Sequence, residues 1–326
     1  MGVSKQRILI TGANSGLGFE TAKEVLKRGV GELVLACRTI EKAEHAKSLL
    51  MPLIPKGVNI VAVGGFDMTD PNSLVAAISD LSSELFDVVF LNAGGVVFSD
   101  DYQTVEWKGI TYERTIFQNV FGGYLVYALL KESGRLSRYA RIVFSGGEGA
   151  RGIPGMIAMP QFGDESNLKD YLLGNFSNHP TYNPMNAIGV SKYIAALLTK
   201  SLHNDPNSSE QFIWFSPGFT AGTGGLSGLP KAQEWLMQNV VFSLLSLLGK
   251  VQSPAKGGKK NAACLMGEIG ESGQLIASPQ NKTLGRLVDQ TPFNPEFSNI
   301  QLIATVNAVA VSLREAVVSQ RIVKKV

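Results

Sequence analysis

The sequence predicts an α/β domain in which a doubly wound parallel sheet carries helices on both faces. Short continuous apolar runs, such as residues 7–10 and 212–215, are typical of parallel strands that are buried on both sides. These runs alternate with longer segments of helical periodicity. Alternation of this kind favours right-handed crossovers between neighbouring parallel strands, and therefore this fold class.

The alternation can be followed along most of the chain. We predict strands at residues 7–10, 33–36, 59–63, 88–91, 141–144 and 212–215. We predict helices from the first glycine-rich turn to residue 27, and at residues 41–50, 73–85, 115–133 and 187–203. No internal repeat or low-complexity tract interrupts this order.

Two long excursions depart from the alternation. Residues 151–186 are rich in glycine, proline and asparagine, and residues 218–254 carry glycines followed by an apolar stretch. Long excursions in a compact domain are usually functional loops or lids. We therefore assign residues 1–285 to one cofactor-binding domain that carries both lid segments.

The tail of the chain has a helical pattern. From Asn299 onward, Ile303, Val306, Val309 and Leu313 lie near helical spacing. We predict that residues 286–326 form a helical extension that packs on the body or on a partner in preference to anchoring the chain in a membrane.

The bulk composition excludes several classes of protein. The 326 residues are 44% hydrophobic and 17% charged, which is enough apolar material for a large core. A net charge of +3 does not favour nucleic-acid binding. Two cysteines and three scattered histidines match neither a disulfide framework nor a metal motif, so we expect no metal and a reducing compartment.

The N-terminus enters a strand without the apolar stretch of a secretory signal. The sequence also lacks an uninterrupted apolar window of the roughly 18 or more residues that a transmembrane helix needs. We therefore expect a cytoplasmic protein without a transmembrane segment, and we leave peripheral membrane contact open.

A glycine-rich turn lies where a dinucleotide site requires it. Gly12, Gly16 and Gly18 form a TGxxxGxG motif between the first strand and the first helix. Glycines there permit a tight turn and a close approach of the backbone to a pyrophosphate, which the helix N-terminus attracts. The second strand is followed by Arg38, and an arginine suits the 2′-phosphate of NADP(H), whereas an NAD site carries a carboxylate there. The sequence thus predicts a Rossmann-type fold that binds NADP(H).

The motifs, taken in order, resemble those of the short-chain dehydrogenase/reductase family over residues 5–280. The markers are TGANSGLG at 11–18, Asp67 after the third strand, NAG at 92–94, an NxxG that begins at Asn119, and SPG at 216–218. The TGANSGLG turn, the ACR at 36–38 and the long insertion after SPG are most similar to protochlorophyllide oxidoreductases and retinol-dehydrogenase-like reductases.

The resemblance implies where the cofactor lies. It places Asp67 and Met68 near the adenine, the NAG motif along the cofactor, Thr220 or Thr223 beside the nicotinamide amide, and Lys192 on the nicotinamide ribose. The full set of candidate cofactor-binding residues is Gly12, Asn14, Ser15, Gly16, Leu17, Gly18, Arg38, Asp67, Met68, Asn92, Ala93, Gly94, Lys192, Pro217, Gly218 and Thr220.

The catalytic pattern of the family is incomplete. The family uses a Ser, a Tyr, a Lys four residues after the Tyr, and a supporting Asn. Lys192 and Asn119 are present, but Ile188 stands at the expected Tyr position, Gly147 stands at the expected Ser position, and Ser145 lies two residues early. Hydride delivery to a carbonyl develops an alkoxide that needs a proton donor, and neither isoleucine nor glycine supplies one.

Three interpretations of this pattern stay open. In the first, the protein is a reductase whose acceptor is a C=N or C=C bond: an iminium becomes a neutral amine, and a conjugated C=C becomes an enolate that solvent or another residue protonates. In the second, a lid residue replaces the missing acid, with Tyr182 the first candidate and Tyr171, His179 and Glu148 the others. In the third, the protein is a non-redox enzyme such as a cyclase or isomerase, or a nucleotide-binding pseudoenzyme.

Retention of the cofactor residues favours the first interpretation, and the candidate catalytic residues are Lys192, Asn119 and Tyr182. The lid at 218–254 is rich in Leu, Val, Phe and Trp, and both lids flank the edge of the sheet where ligands of such folds bind. We therefore expect a small-molecule substrate that is bulky and hydrophobic. The same apolar stretch could instead pack on the core or on a second subunit, so a monomer and a homodimer both stay open.

Overall fold

A computed structural model describes residues 5–221 and 249–323 of the chain. Most of the strands join one central sheet, which has eight strands in the described residues, while β5 and β6 form a separate hairpin. The strands are β1 (Arg7–Thr11), β2 (Glu32–Ala36), β3 (Asn59–Val63), β4 (Phe86–Leu91), β5 (Thr104–Trp107), β6 (Ile110–Glu113), β7 (Leu136–Ser145), β8 (Gln211–Phe215), β9 (Leu275–Ala277) and β10 (Val288–Asp289).

Helices cover both faces of this sheet. They are α1 (Gly16–Arg28), α2 (Ile40–Leu50), α3 (Pro71–Ser79), α4 (Arg114–Ile116), α5 (Gly122–Glu132), α6 (Glu165–Leu172), α7 (Pro184–His203), α8 (Pro254–Leu265) and α9 (Ile300–Val323). A π-helical turn, Phe117–Phe121, joins α4 to α5, and short 3₁₀ turns lie at Met51–Leu53, Glu148–Arg151, Thr291–Phe293 and Pro295–Ser298.

Alternate residues of each strand point into two separate cores. Leu9 of β1 belongs to a core shared with α3, α5, α7 and α9, whereas its neighbours Ile8 and Ile10 belong to a core shared with α1, α2 and α8. All three side chains are fully buried. Burial on both faces explains why the strands read as continuous apolar runs, and it confirms the predicted doubly wound α/β fold.

The strand order creates a crevice at the centre of the sheet. Across the sheet the order is β10-β9-β8-β7-β4-β1-β2-β3. Among the strands that the structure describes in this sheet, β10 is the one that runs antiparallel to its neighbour, β9. The chain first runs outward from β1 through β2 to β3, and then outward in the other direction from β4 through β7 to β8. The order reverses between β1 and β4, and ligands of open α/β sheets bind outside the carboxyl ends of the strands at such a point.

The predicted strands all form, but one helix is shorter than predicted. The helix predicted at 73–85 is α3, which ends at Ser79. The backbone carbonyls of Ser82 and Glu84 accept hydrogen bonds from Arg135 Nε (3.0 Å) and Arg7 Nη1 (2.6 Å). These long-range arginine contacts hold the segment before β4 in a non-helical conformation, and local periodicity does not reveal them.

The structure adds elements that the sequence did not predict. The β5–β6 hairpin turns at Lys108 and Gly109, which both have positive φ, 48° and 77°. Helix α6 lies within the predicted lid at 151–186, and α8 begins at the end of the predicted lid at 218–254. Most of that second lid, residues 222–248, lies outside the described residues.

The predicted C-terminal helix is α9, and it packs on the body. Its fully or nearly fully buried side chains are Leu302, Val306, Val309, Leu313 and Val317, and its neighbours include α6 and α7. Among the described helices, α9 is also the one that length and composition alone would allow to cross a bilayer, over Ile300–Ser319 with a mean hydropathy of 1.5. Strand β10 lies before α9 and after residue 285, the predicted end of the cofactor-binding domain. It pairs with β9 and therefore belongs to the central sheet.

Candidate functional site

The glycine-rich turn leaves open backbone at the carboxyl end of β1. Gly12 and Gly16 adopt φ of 65° and 53°, a region that favours glycine. A Cβ at Gly18 would lie 2.2 Å from the carbonyl oxygen of Gly12, so only glycine allows α1 to start this close to the turn. Ser15 is the N-cap of α1, and its side chain makes no capping hydrogen bond. The start of α1 therefore presents backbone N–H groups to a phosphate, with Asn14 and Leu17 beside them.

The NAG motif is hydrogen-bonded directly to this turn. Thr11 Oγ1 accepts from the backbone N–H groups of Asn92 and Ala93, both at 2.9 Å, and the Asn92 amide donates to the Thr11 carbonyl at 2.9 Å. Gly94 lies against Asn119, because a Cβ there would be 2.3 Å from Asn119 Oδ1. The ends of β1 and β4 thus form one rigid floor at the crevice.

The adenine-side candidates lie beyond the neighbouring strands. Arg38 follows β2, is exposed, and its guanidinium makes no hydrogen bond or ion pair with the residues that the structure describes. Asp67 Oδ1 accepts from the N–H and hydroxyl of Thr69 at 2.9 and 2.8 Å, and Met68 is buried beneath this turn. Arg38 is therefore an unpaired cation at the edge where a 2′-phosphate is expected.

On the other side of the crevice, hydrogen bonds from Gln252 and Lys260 fix the Ser216–Gly218 loop. The Pro217 carbonyl accepts from Gln252 Nε2 at 2.7 Å and from Lys260 Nζ at 2.8 Å. Thr220 Oγ1 donates to the Gly218 carbonyl at 2.9 Å and accepts from Gln252 at 3.3 Å. Thr223, the alternative candidate, lies outside the described residues.

Lys192 lies in a corner formed by β7 and α7. Its Nζ donates to the Ser145 carbonyl at 2.9 Å. No carboxylate pairs with this ammonium in the described ranges, and burial lowers its pKa from 10.5 to about 8. Gly147 faces the lysine stem, since a Cβ there would be 3.1 Å from Lys192 Cγ, and half-buried Ile188 lies one helical turn earlier.

Asn119 sits in the π-helical turn that joins α4 to α5. Its amide donates to the carbonyls of Gly95 and Thr115, each at 2.9 Å, and its Oδ1 accepts from the Gly95 N–H at 2.9 Å. Single π-turns within helices often occur at functional sites. Here the turn directs Asn119 at the loop that follows the NAG motif.

Tyr182 occupies a different place from Lys192. Its hydroxyl donates to the Val97 carbonyl at 2.6 Å and lies 3.4 Å from Thr115 Oγ1, while its ring packs edge-on against Tyr102. Burial raises the pKa of this hydroxyl. Within the described part of the chain, no hydrogen bond joins Tyr182 to Lys192.

The other substitute-acid candidates also have partners. Tyr171 is buried in the aromatic cluster around Tyr102, and burial raises its pKa. His179 Nε2 lies 3.2 Å from the Asn167 carbonyl. Glu148 bonds to Ser216 beneath the nicotinamide-side loop. Each of these side chains therefore has a packing or hydrogen-bonding role in the lid or the core.

Three functional neighbours escaped the sequence analysis: Thr11, Gln252 and Lys260. Thr11 belongs to the TGANSGLG motif, so the sequence indicates that it lies at the turn. The sequence does not indicate its hydrogen bond with Asn92, which is 81 positions away. Gln252 and Lys260 follow the second lid and carry no motif. Their link to Pro217 exists only in three dimensions.

Comparisons with known proteins agree with this geometry. A family profile described as short chain dehydrogenase matches residues 6–157. The short-chain dehydrogenase anuD of Penicillium roqueforti is 26% identical over 287 residues, which cover 82% of this chain and 70% of that protein. Retinol dehydrogenase 11 of Homo sapiens is 34% identical over 137 residues, which cover 42% of this chain and 41% of that protein.

The fold is shared with solved structures. The L-sorbose reductase of Gluconobacter frateurii, complexed with NADPH and L-sorbose, superposes with a TM-score of 0.55 over 81% of this chain and 90% of that one, at 17% identity. Among the first four curated relatives, the chain spans 70% of the length of one and 62%, 63% and 41% of the others. Over residues 6–157 the chain matches the short-chain dehydrogenase family, and the fold is that of the solved reductases of this kind.

Proposed function

We propose that the protein is an NADPH-dependent reductase that acts on a bulky hydrophobic substrate at a C=N or C=C bond. One observation supports this proposal: the glycine-rich turn and the NAG motif form a hydrogen-bonded floor, while the corner around Lys192 has Gly147 and Ile188 at the positions of the family's Ser and Tyr. A reaction that uses hydride transfer accounts for the retained cofactor residues. A reaction that needs no proton donor from the protein accounts for the replaced Ser and Tyr.

The residues present suit NADPH. The turn at Gly12, Gly16 and Gly18 leaves space that any Cβ would fill, and Arg38 offers a free guanidinium to a 2′-phosphate. The L-sorbose reductase neighbour was solved with NADPH. When bound, NADPH supplies a hydride.

The chain's own groups then orient the reactants. Lys192 offers an ammonium to the ribose hydroxyls, as the family resemblance implies, and the floor of Asn92 and Ala93 supports the cofactor. Ile157 of the first lid packs into the gap between Gly149 and Gly189, because Cβ atoms there would approach it to 3.1 and 2.6 Å. The corner thus has Gly147 and Ile188 where the family has hydroxyls, with Ile157 nearby, which suits an apolar acceptor.

The position of Tyr182 supports this proposal over a substitute acid. The Tyr182 hydroxyl already donates its proton to the Val97 carbonyl, and its pKa is raised. A donor in that state is poorly suited to deliver a proton beside Lys192. We place the reaction in the cytoplasm, as the sequence analysis expects.

Turnover of a substrate panel tests the proposal. Purified protein with NADPH should oxidise the cofactor in the presence of bulky cyclic iminium ions or conjugated enones, and it should leave matched simple ketones and aldehydes unreacted. Loss of NADPH absorbance and identification of the product by mass spectrometry are the measurements. Reduction of the ketones at comparable rates, or NADPH binding without turnover of any panel member, would contradict it.

A further inference from the structure

Glu148 is a buried carboxylate whose role the reaction described above leaves open. It follows Gly147 directly and is 4% exposed. Its Oε2 accepts from Ser216 Oγ at 2.7 Å, and its Oε1 accepts from the Ser278 N–H at 3.2 Å. A charge this deep in a protein is costly unless hydrogen bonds and opposite charges compensate it.

The bond to Ser216 reaches the cofactor loop. Ser216 Oγ donates to Glu148 and accepts from the Gly218 N–H at 3.2 Å, so one hydroxyl ties the carboxylate to the turn of the Ser216–Gly218 loop. Gly218 has a φ of 103°, a conformation that this hydrogen bond helps to hold. The loop thus depends on Glu148 at one end and on the Gln252 and Lys260 contacts with Pro217 at the other.

Two cations flank the same carboxylate. Burial lowers the pKa of the Arg151 guanidinium and of the Lys260 ammonium, and the charge of Glu148 opposes both shifts. Arg151 donates to the carbonyls of Ser278 at 2.7 Å and Lys282 at 2.6 Å, in the segment that follows β9. The charge of Glu148 therefore favours the charged forms of these two half-buried groups, and its hydrogen bond to Ser216 connects it to the loop.

We propose that Glu148 is a positioning residue that fixes the Ser216–Gly218 loop against the nicotinamide half of the cofactor. The carboxylate ties the first lid segment, which begins beside it, to the loop on the opposite side of the crevice. This inference rests on the proposed function, because it requires NADPH in that crevice. The proposed role affects only the nicotinamide half of the cofactor. A general structural role would affect both halves, so the two roles can be distinguished by experiment.

Two ligands and two variants test the inference. The ligands are NADPH and adenosine 2′,5′-bisphosphate, which keeps the adenine half and lacks the nicotinamide. The variants are Glu148→Gln, which removes the charge at constant size, and Ser216→Ala, which removes only the connecting hydroxyl. Glu268→Gln is the charge control, since Glu268 is exposed, pairs with Arg28, and has no hydrogen bond to residues 216–218 in the described structure. Dissociation constants are measured by calorimetry on the full chain.

We expect both variants to weaken NADPH binding about tenfold, the scale of one charge-assisted hydrogen bond, and to bind adenosine 2′,5′-bisphosphate within about twofold of wild type. Unchanged NADPH affinity in both variants overturns the inference, and so does an equal loss for both ligands. A wild-type protein that binds neither ligand instead overturns the proposed function.

Discussion

At the scale of single residues, we assign the expected preference for NADPH to Arg38. Arg38 lies at the end of β2, exposed and without a partner among the residues described. A phosphate on the 2′-position would form an ion pair and bidentate hydrogen bonds with it, whereas a bare ribose hydroxyl offers only one neutral acceptor.

Arg38→Ala should raise the dissociation constant of NADPH roughly ten- to a hundredfold, since a hydrogen bond to a charged group contributes about 1.5–3 kcal/mol. The dissociation constant of NADH should change by less than about twofold. Fluorescence titration of both cofactors measures this, with Arg286→Ala as a control at an exposed arginine near the opposite edge of the sheet. Equal affinity of the wild type for the two cofactors would refute the assignment.

At the scale of elements, β7 and α7 bring together the residues on which the proposed chemistry depends. Gly147 has extended backbone with a φ of 179°, which any residue adopts, and the nearest atom to a new Cβ belongs to the flexible stem of Lys192. Ile188 lies one turn before Lys192 on α7, so a tyrosine there would come close to the ammonium. Both positions of the family's missing pair therefore lie beside Lys192, and at Gly147 a new side chain meets only a flexible stem.

The double variant Gly147→Ser with Ile188→Tyr should gain carbonyl reduction, at least tenfold above a wild-type background, because it supplies a hydroxyl pair beside Lys192. It should leave the proposed C=N or C=C reduction unchanged or lower, because new hydroxyls crowd an apolar corner. NADPH oxidation with matched ketone and iminium substrates measures both effects. Ile188→Ala should also reduce NADPH affinity far less than Lys192→Ala does.

Gly146→Ser is the matched control for this variant. A Cβ at Gly146 would lie 2.7 Å from the indole of Trp214, so serine there should destabilise the fold and add no activity. An inert double variant that still binds NADPH would contradict the idea that the missing hydroxyls alone set the reaction class.

Sequence reasoning recovers elements whose signal is local. The parallel strands are predictable because burial of both faces requires continuous apolar runs in the sequence. The glycine-rich turn is predictable because its motif is eight consecutive residues, 11–18. The early end of α3 was missed because Arg7 of β1 and Arg135, just before β7, determine it from distant parts of the chain. The links from Glu148 to Ser216 and from Lys260 to Pro217 were missed for the same reason: they join residues 68 and 43 positions apart.

At the scale of the whole molecule, the C-terminal helix belongs to the same core as the sheet. Leu302, Val306 and Leu313 of α9 pack in one cluster with Leu9 of β1 and with the buried face of α7. Helix α7 carries Lys192, so α9 supports from behind the helix that holds this candidate residue. Because α9 shares its core with the sheet, we predict one cooperative unfolding transition in which α9 and the sheet melt together.

Leu313→Ala tests this arrangement. Leu313 is fully buried, so the substitution removes apolar contacts and leaves a cavity, and it should lower the free energy of unfolding by about 2–5 kcal/mol. Urea denaturation followed by both helical circular dichroism and tryptophan fluorescence should show a single shifted midpoint, because Trp214 of β8 lies in the same cluster. Ser312→Ala, at an exposed neighbouring position, should leave the midpoint unchanged. If α9 is instead a separately folded appendage, the circular dichroism signal will fall at lower urea than the fluorescence, and the fluorescence midpoint will match wild type.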